Sequence, residues 1–248
     1  MSYIAQSEFP NYEELSKRKW KYTKPILGLL LRSGKAFSHS ELVKILNIPQ
    51  KRKSTLWYNL DVLEKLGFIA RERVETREKW VKRGPIKLKF KTPLCFIANT
   101  LGVPYAYLGL LGLKDKLEVS ETETAVKILE NIGLKFERIV VVTTQKAVGV
   151  WSNAIDPRLK IEWHTLSEAE FNRIERVEER VRPIVVELMR EYILIMDCTS
   201  GPRPAGIAYY RLASQFKVPL IYVYLPDKTL LWLISKEMLE KELKHLYS

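Results

Sequence analysis

The stretch Arg138-Ile139-Val140-Val141-Val142-Thr143-Thr144 is almost wholly β-branched, with no polar residue among its four central positions. A run of this kind suits a strand buried on both faces, because a strand with one wet face would alternate. Further strands read at Tyr107–Gly112, Leu159–Leu166, Tyr192–Asp197, Val218–Leu225 and Leu230–Ile234. Helical patterns lie between them. Ser120-Glu121-Thr122-Glu123 reads as a capping box, followed by Ala125, Ile128, Leu129 and Ile132 on one helical face. Ser167–Arg190 predicts a long charged helix that Pro183 should break or kink, Pro204–Phe216 predicts another, and a last one starts at Ser235. Strand and helix in alternation predict an α/β, Rossmann-like, doubly wound sheet of about six strands, mostly parallel.

One strand end stands out. After Ile193-Leu194-Ile195-Met196 the chain reads Asp197-Cys198-Thr199-Ser200-Gly201-Pro202-Arg203-Pro204 and then enters a helix. A plain connection would need a glycine and little else. Hydroxyls, backbone amides and a guanidinium at the start of a helix suit an anion, and a phosphodiester fits them without a metal. In open α/β sheets ligands bind beyond the carboxyl ends of the strands. Gly112-Leu113, Thr143-Thr144-Gln145 and Thr199-Ser200-Gly201-Pro202-Arg203 should therefore share one crevice.

The first hundred residues differ in pattern and in charge. They carry 21 Lys and Arg against 9 Asp and Glu, whereas residues 101–248 carry 20 of each, so the whole net charge of +12 lies in the first part. A segregated basic excess points to a polyanionic partner, and double-stranded DNA fits best. Lys24–Leu31 predicts one helix, and Ser38 with Glu41 predicts a capped second helix presenting Leu42, Ile45 and Leu46. Ile48-Pro49 ends that second helix. A third begins near Gln50, with Leu56, Leu60 and Leu63 on its apolar side and Gly67 as a left-handed cap. Phe68–Val74 and Ile86–Phe90 read as strands around a basic tip containing Arg77, Lys79, Lys82, Arg83 and Gly84.

These residues resemble a winged helix-turn-helix, and the segment Ser54–Ile69 is similar to the recognition helix of winged-helix regulators. The resemblance covers residues 20–92 and implies an α+β DNA-binding domain, with boundaries set at 1–98 and 99–248. It implies that Lys51, Arg52, Lys53, Arg77, Lys79, Lys82 and Arg83 meet phosphates, while Ser54, Thr55 and Tyr58 face bases. A winged helix that only joins protein to protein is the plainer alternative.

Residues 105–235 resemble the CRISPR-associated Rossmann-fold (CARF) domain. The likeness is carried by Asp197-x-Thr199-Ser200-Gly201-Pro202-Arg203, after an early GLLG and a VVVTT strand. Ser200 stands where a second glycine is common, and here the basic domain precedes the α/β domain instead of following it. The family likeness implies a homodimer that binds cyclic oligoadenylate through the loops after its first and fourth strands. The ligand-binding residues would then be Gly112, Leu113, Thr143, Thr144, Gln145, Thr199, Ser200, Gly201, Pro202 and Arg203. Cyclic tetra-adenylate is preferred to hexa-adenylate as effector. The function implied is transcriptional regulation of a CRISPR system. A ring nuclease in which Arg203 stabilises charge during slow, metal-independent self-cleavage of the ring is one alternative. A non-catalytic protein scaffold is the other.

Several readings drop out. No G-x-G-x-x-G and no P-loop sequence occurs, which disfavours dinucleotide and nucleoside-triphosphate chemistry, and no cofactor is expected. Arg158 and His164 match a loose ribonuclease spacing, but LKIEWHTL has a strand pattern where that motif needs a helix. Tyr209 and Tyr210 could stack on bases, although helical tyrosines are more often core. Only Cys95 and Cys198 are present, without metal-ligand spacing, and no apolar run approaches the ~20 residues of a membrane helix. MSYIAQSEFPNYEEL lacks the basic start and apolar core of a signal peptide, so a cytoplasmic location is expected.

Overall fold

The computed structural model describes residues 8–17, 21–74, 82–113 and 119–247, with backbone alone for 72–74 and 82–83. Contacts divide the chain into two units, residues 1–102 with 240–248, and residues 103–239. The last nine residues, which a boundary at 98/99 assigns to the second half, thus group with the first.

In the first unit, helix α1 (Tyr12–Lys17) precedes α2 (Thr23–Ser33), which buries Ile26, Leu27, Leu30 and Leu31 and ends on left-handed Gly34. Helix α3 (His39–Ile45) starts with the expected Ser38–Glu41 capping box. Of its expected apolar face only Leu42 is fully buried, and Ile45 is exposed. A 3₁₀ turn at Gln50–Arg52 leads into α4 (Lys53–Lys65), which buries Leu56, Leu60 and Leu63. Buried Asn59 fixes this helix against the start of α2. Its Oδ1 accepts from the Tyr22 N–H at 3.1 Å, and its Nδ2 donates to the Thr55 carbonyl at 2.7 Å. Gly67 follows with φ +79°, as a left-handed cap requires.

Strands β1 (Ile69–Val74) and β2 (Lys82–Leu88) then pair antiparallel, and Phe37 bridges to Ile86. Arg71 of β1 lies buried across α4, donating to Asp61 and Glu64. The hairpin is therefore tied to the helix by a charge-assisted fork as well as by apolar contact. The short helix α5 (Leu94–Ile97) is buried throughout.

The second unit runs β3 (Tyr105–Leu110), α6 (Glu121–Asn131), β4 (Phe136–Thr144), α7 (Gln145–Trp151), β5 (Glu162–Leu166), α8 (Glu168–Phe171), α9 (Ile174–Glu191), β6 (Ile193–Asp197), α10 (Arg203–Phe216), β7 (Leu220–Tyr224) and β8 (Thr229–Ile234). Helix α11 (Lys236–Leu243) follows. The sheet order is β5-β4-β3-β6-β7-β8, parallel except for antiparallel β8. In this unit's own strand count the order is 3-2-1-4-5-6, the doubly wound arrangement. The chain leaves β3 toward one edge and later leaves β6 toward the other. The β3–β6 neighbourhood is therefore the switch point, where two successive loops part and leave a crevice.

Two local expectations fail. Pro183 does not end its helix, because α9 continues from Ile174 to Glu191 with Pro183 inside. Val177, Val181, Val185 and Leu188 form a fully buried stripe at helical spacing, and this packing outweighs the lost backbone hydrogen bond. The break falls earlier, between α8 and α9. The Ser120 capping box is one-sided: Ser120 Oγ accepts from the Glu123 N–H at 3.1 Å, while the Glu123 carboxylate pairs with Lys127 at 2.6 Å.

Candidate ligand cleft at the sheet switch point

The strand ends at the switch point are held by buried hydrogen bonds. Tyr107 and Gly109 lie two apart on β3, so they share a face. A Cβ on Gly109 would come within 2.6 Å of the Tyr107 ring, so the ring lies along the strand in the space that glycine leaves. Gly109 is registered with Asp197 on β6, and the Tyr107 hydroxyl accordingly reaches Asp197 and donates to it. Asp197 also accepts from the Thr199 N–H at 2.8 Å and from the Thr199 hydroxyl. That hydroxyl in turn accepts from the Val223 N–H at 2.8 Å.

Burial lifts the Asp197 carboxyl to about 6, against the opposing pull of the Thr199 and Tyr107 donors. Burial also raises Tyr107 well above its usual value, with the Asp197 charge adding to the effect. Cys198, half-buried beside Asp197, is raised to about 12 mainly by desolvation and stays a thiol.

Ser200 joins the two loops. Its buried Oγ accepts from the Gly112 N–H at 2.9 Å and donates to Glu121 at 3.0 Å. The backbones approach closely here. A Cβ on Gly112 would sit 3.3 Å from Gly201 N and Cα, and Gly201 itself has φ +83°. Gly201 also abuts α8, since a Cβ there would lie 3.2 Å from the Phe171 ring. Trp151 of α7 donates to the Gly112 carbonyl at 3.0 Å, so the loop after β3 is held from both sides.

Above these bonds lies a cleft of about 340 Å³. Gly112, Leu113, Thr144, Ser200, Gly201 and Pro202 line it. Six of the ten expected ligand-site residues thus meet at one place. The other four do not line it. Thr143 is fully buried and donates its hydroxyl to the Leu111 carbonyl, because alternation along β4 turns it away from the side that Thr144 occupies. Thr199 is committed to Asp197 and Val223. Gln145 is exposed at the first position of α7, whose cap is Thr144. Arg203 is exposed at the first position of α10, one residue past the lining residue Pro202.

Glu168, Phe171 and Asn172 complete the lining from α8. The sequence pattern does not single them out, because 167–190 reads as a long helix with its break at Pro183, whereas the chain breaks between Phe171 and Ile174. The Ser167–Glu170 capping box was the available signal for a separate short helix. Tyr107 was likewise missed as a partner of Asp197.

Of the residues expected to meet DNA, Lys51, Arg52, Ser54 and Tyr58 are exposed, the last at 52%, while Lys53 and Thr55 are half-buried. Lys82 and Arg83 lie on β2, opposite Val74 and Arg73. Arg77 and Lys79 lie outside the described residues. His164 is on β5, and so not on a helix; Tyr209 is buried, donating to the Gly109 carbonyl at 3.2 Å, while Tyr210 is half-exposed. Among the described residues, no His, Cys, Asp and Glu side chains group as a metal site, and no helix is long and apolar enough to cross a membrane.

No protein-family model matches the chain, and no curated protein matches its sequence. Solved structures that are similar at low identity include the following three. Protein VC1899 from Vibrio cholerae is 10% identical with a TM-score of 0.40, over 53% of this chain and 34% of that one. Enterococcus italicus Csm6 bound to cyclic hexa-2′-fluoro-hexa-dAMP is 14% identical with a TM-score of 0.39, over 58% and 37%. Can2 from Sulfobacillus thermosulfidooxidans in complex with cyclic tetra-adenylate is 15% identical with a TM-score of 0.37, over 53% and 35%. The matches cover only about a third of each of these proteins.

Proposed function

We propose that the chain is a DNA-binding regulator whose α/β unit senses a cyclic oligoadenylate as a homodimer. The observation that carries this reading is the meeting of Gly112-Leu113 with Ser200-Gly201-Pro202 at the β3–β6 switch point. A pair of glycines there lets backbone approach a ligand closely, and helix α10 begins directly behind, its positive end suited to a phosphodiester. A cleft of about 340 Å³ lies at the low end for small-molecule sites. It holds a part of a ring of four or six nucleotides, so a symmetric ring calls for a second copy across a two-fold axis. Cyclic tetra-adenylate is the smaller ring and the preferred effector.

In the same reading, α2, α3, α4 and the β1–β2 hairpin are a winged helix that binds double-stranded DNA. The 3₁₀ turn before α4 exposes Lys51 and Arg52, and α4 exposes Ser54 and Tyr58, phosphate-binding and base-reading types together. The carboxylates of Asp61 and Glu64 are turned onto Arg71, which leaves the entering end of the helix to the basic residues.

The test is calorimetry of the full chain with cyclic tetra- and hexa-adenylate. Wild type should bind at least one ring. Arg203→Ala, which removes the guanidinium that a ring reaching past Pro202 would meet, should weaken binding about ten- to a hundredfold. Gly201→Val, which puts a branched side chain at positive φ against Phe171, should abolish it. Binding of neither ring by wild type overturns the sensor reading. If Arg203→Ala binds normally but no longer degrades a ring that wild type degrades, the chain is a ring nuclease.

A further inference from the structure

The cleft has two chemically different walls. On the α10 side stand backbone, Ser200 and the helix start. On the α8 side stand Glu168 and Asn172, both exposed at the rim, with Phe171 buried between them and packed on Gly201. No Lys or Arg lines the cleft among the described residues, and Glu168 forms no ion pair with any described residue. A phosphate is repelled by this wall, so it belongs on the other.

Asn172 has a defined orientation. Its Nδ2 donates to the Glu168 carbonyl at 2.8 Å, which fixes the amide against a flip. One N–H and the Oδ1 acceptor remain for a ligand. That donor–acceptor pair matches the N7 and N6–H edge of adenine, the pairing that asparagine makes in base recognition generally. The Glu168 carboxylate only accepts, so it takes an amine or hydroxyl proton and repels a carbonyl oxygen. Guanine and hypoxanthine show two acceptors, O6 and N7, on the same edge, and two acceptors call for a cation that this wall lacks.

We propose that Glu168 and Asn172 are the specificity-determining residues of the cleft, and that they select a 6-aminopurine over a 6-oxopurine. This rests on the sensor reading above and adds an orientation to it: base toward α8, phosphate toward α10. Phe171 holds the α8 wall against Gly201, so base reading and phosphate binding are set by one packed contact.

The experiment is calorimetry of the full chain with cyclic tetra-adenylate and cyclic tetra-inosinate, whose bases carry a 6-amino group with a bare N1 or a 6-oxo group with N1–H and are alike on the N7 side otherwise, and with the corresponding hexameric pair. Wild type should prefer adenylate by about ten- to a hundredfold. Asn172→Ala should bring that ratio close to one. Glu168→Gln, which keeps the shape and adds an N–H donor, should bring it down by improving inosinate binding. Thermal melts confirm that each variant still unfolds cooperatively, and Glu168→Gln keeps the Asn172 bond to the Glu168 backbone carbonyl. Equal binding of the two rings by wild type overturns the proposal and leaves the sensor reading standing. A wild-type preference that survives in both variants also overturns it. Binding of no ring of either kind or size removes the sensor reading and this inference with it.

Discussion

The two units keep their polar chemistry in opposite places. In residues 1–102 the basic groups just before and at the start of α4 stand outside a small apolar core, and a deeply buried cation, Arg71, is neutralised by Asp61 and Glu64. In residues 103–239 charges balance, and the polar groups next to the cleft are inside: Asp197, Ser200, Glu121 and Tyr107 are all fully buried or nearly so. Exposed charge acts at a distance and is screened by salt. Buried polar groups act through geometry, in a setting where an unmet hydrogen bond costs far more than a met one contributes. The first unit therefore suits a long anion of variable sequence, and the second suits one small ligand of fixed shape.

Salt gives the largest expected difference between them. If six or more phosphates are neutralised, duplex affinity of the full chain should fall by about 10³-fold or more between 50 and 200 mM salt. Ring affinity should change far less over the same series. Gel shifts and calorimetry in matched buffers test this, and equally steep losses would break the contrast between the units.

Acidity sharpens it next. With Asp197 at about 6 when folded and near 3.8 when unfolded, the folded state holds the extra proton between those values. Its contribution to stability is present in full below the lower value and is lost as pH rises through about 6. Against an Asp197→Asn variant, wild type should lose about 2–3 kcal/mol of relative stability from pH 4 to pH 7. The carboxylates held low at Glu162 and Glu170 oppose this trend in both proteins, so the difference isolates Asp197. Denaturant melts across that range would show it, and parallel curves would deny that burial governs Asp197.

Glycines in the second unit separate further. Gly109→Ala forces a methyl to within 2.6 Å of the Tyr107 ring and should cost about 1–3 kcal/mol by urea unfolding, with loss of the Tyr107–Asp197 bond. Gly206→Ala, in α10 with nothing within 4 Å of the added carbon, should instead stabilise by about 0.4–1 kcal/mol. Equal effects would mean that the close packing is confined to no particular place.

The smallest expected effect returns to the first unit. Lys51→Ala should weaken duplex binding for all sequences alike and lower the salt slope by about 1, with ring binding unchanged.

Local sequence determined the elements themselves. A strand buried on both faces must be continuously apolar, which is why β3, β6 and the later part of β4 are legible. Gly67 and the Ser38 capping box mark helix ends because their chemistry is satisfied within a few residues. The charge split needed only counting. The tertiary structure decided what sequence spacing cannot carry. Pro183 stays helical because Val181, Val185 and Leu188 are buried by the fold. Thr143 turns inward while its neighbour Thr144 lines the cleft, a distinction of one residue in register. Tyr107 meets Asp197 across 90 residues, Ser200 meets Glu121 across 79, and Phe171 rests on Gly201. Each of these contacts arises because β3 and β6 are neighbours, and strand order follows from how all the faces are buried together and not from any one segment.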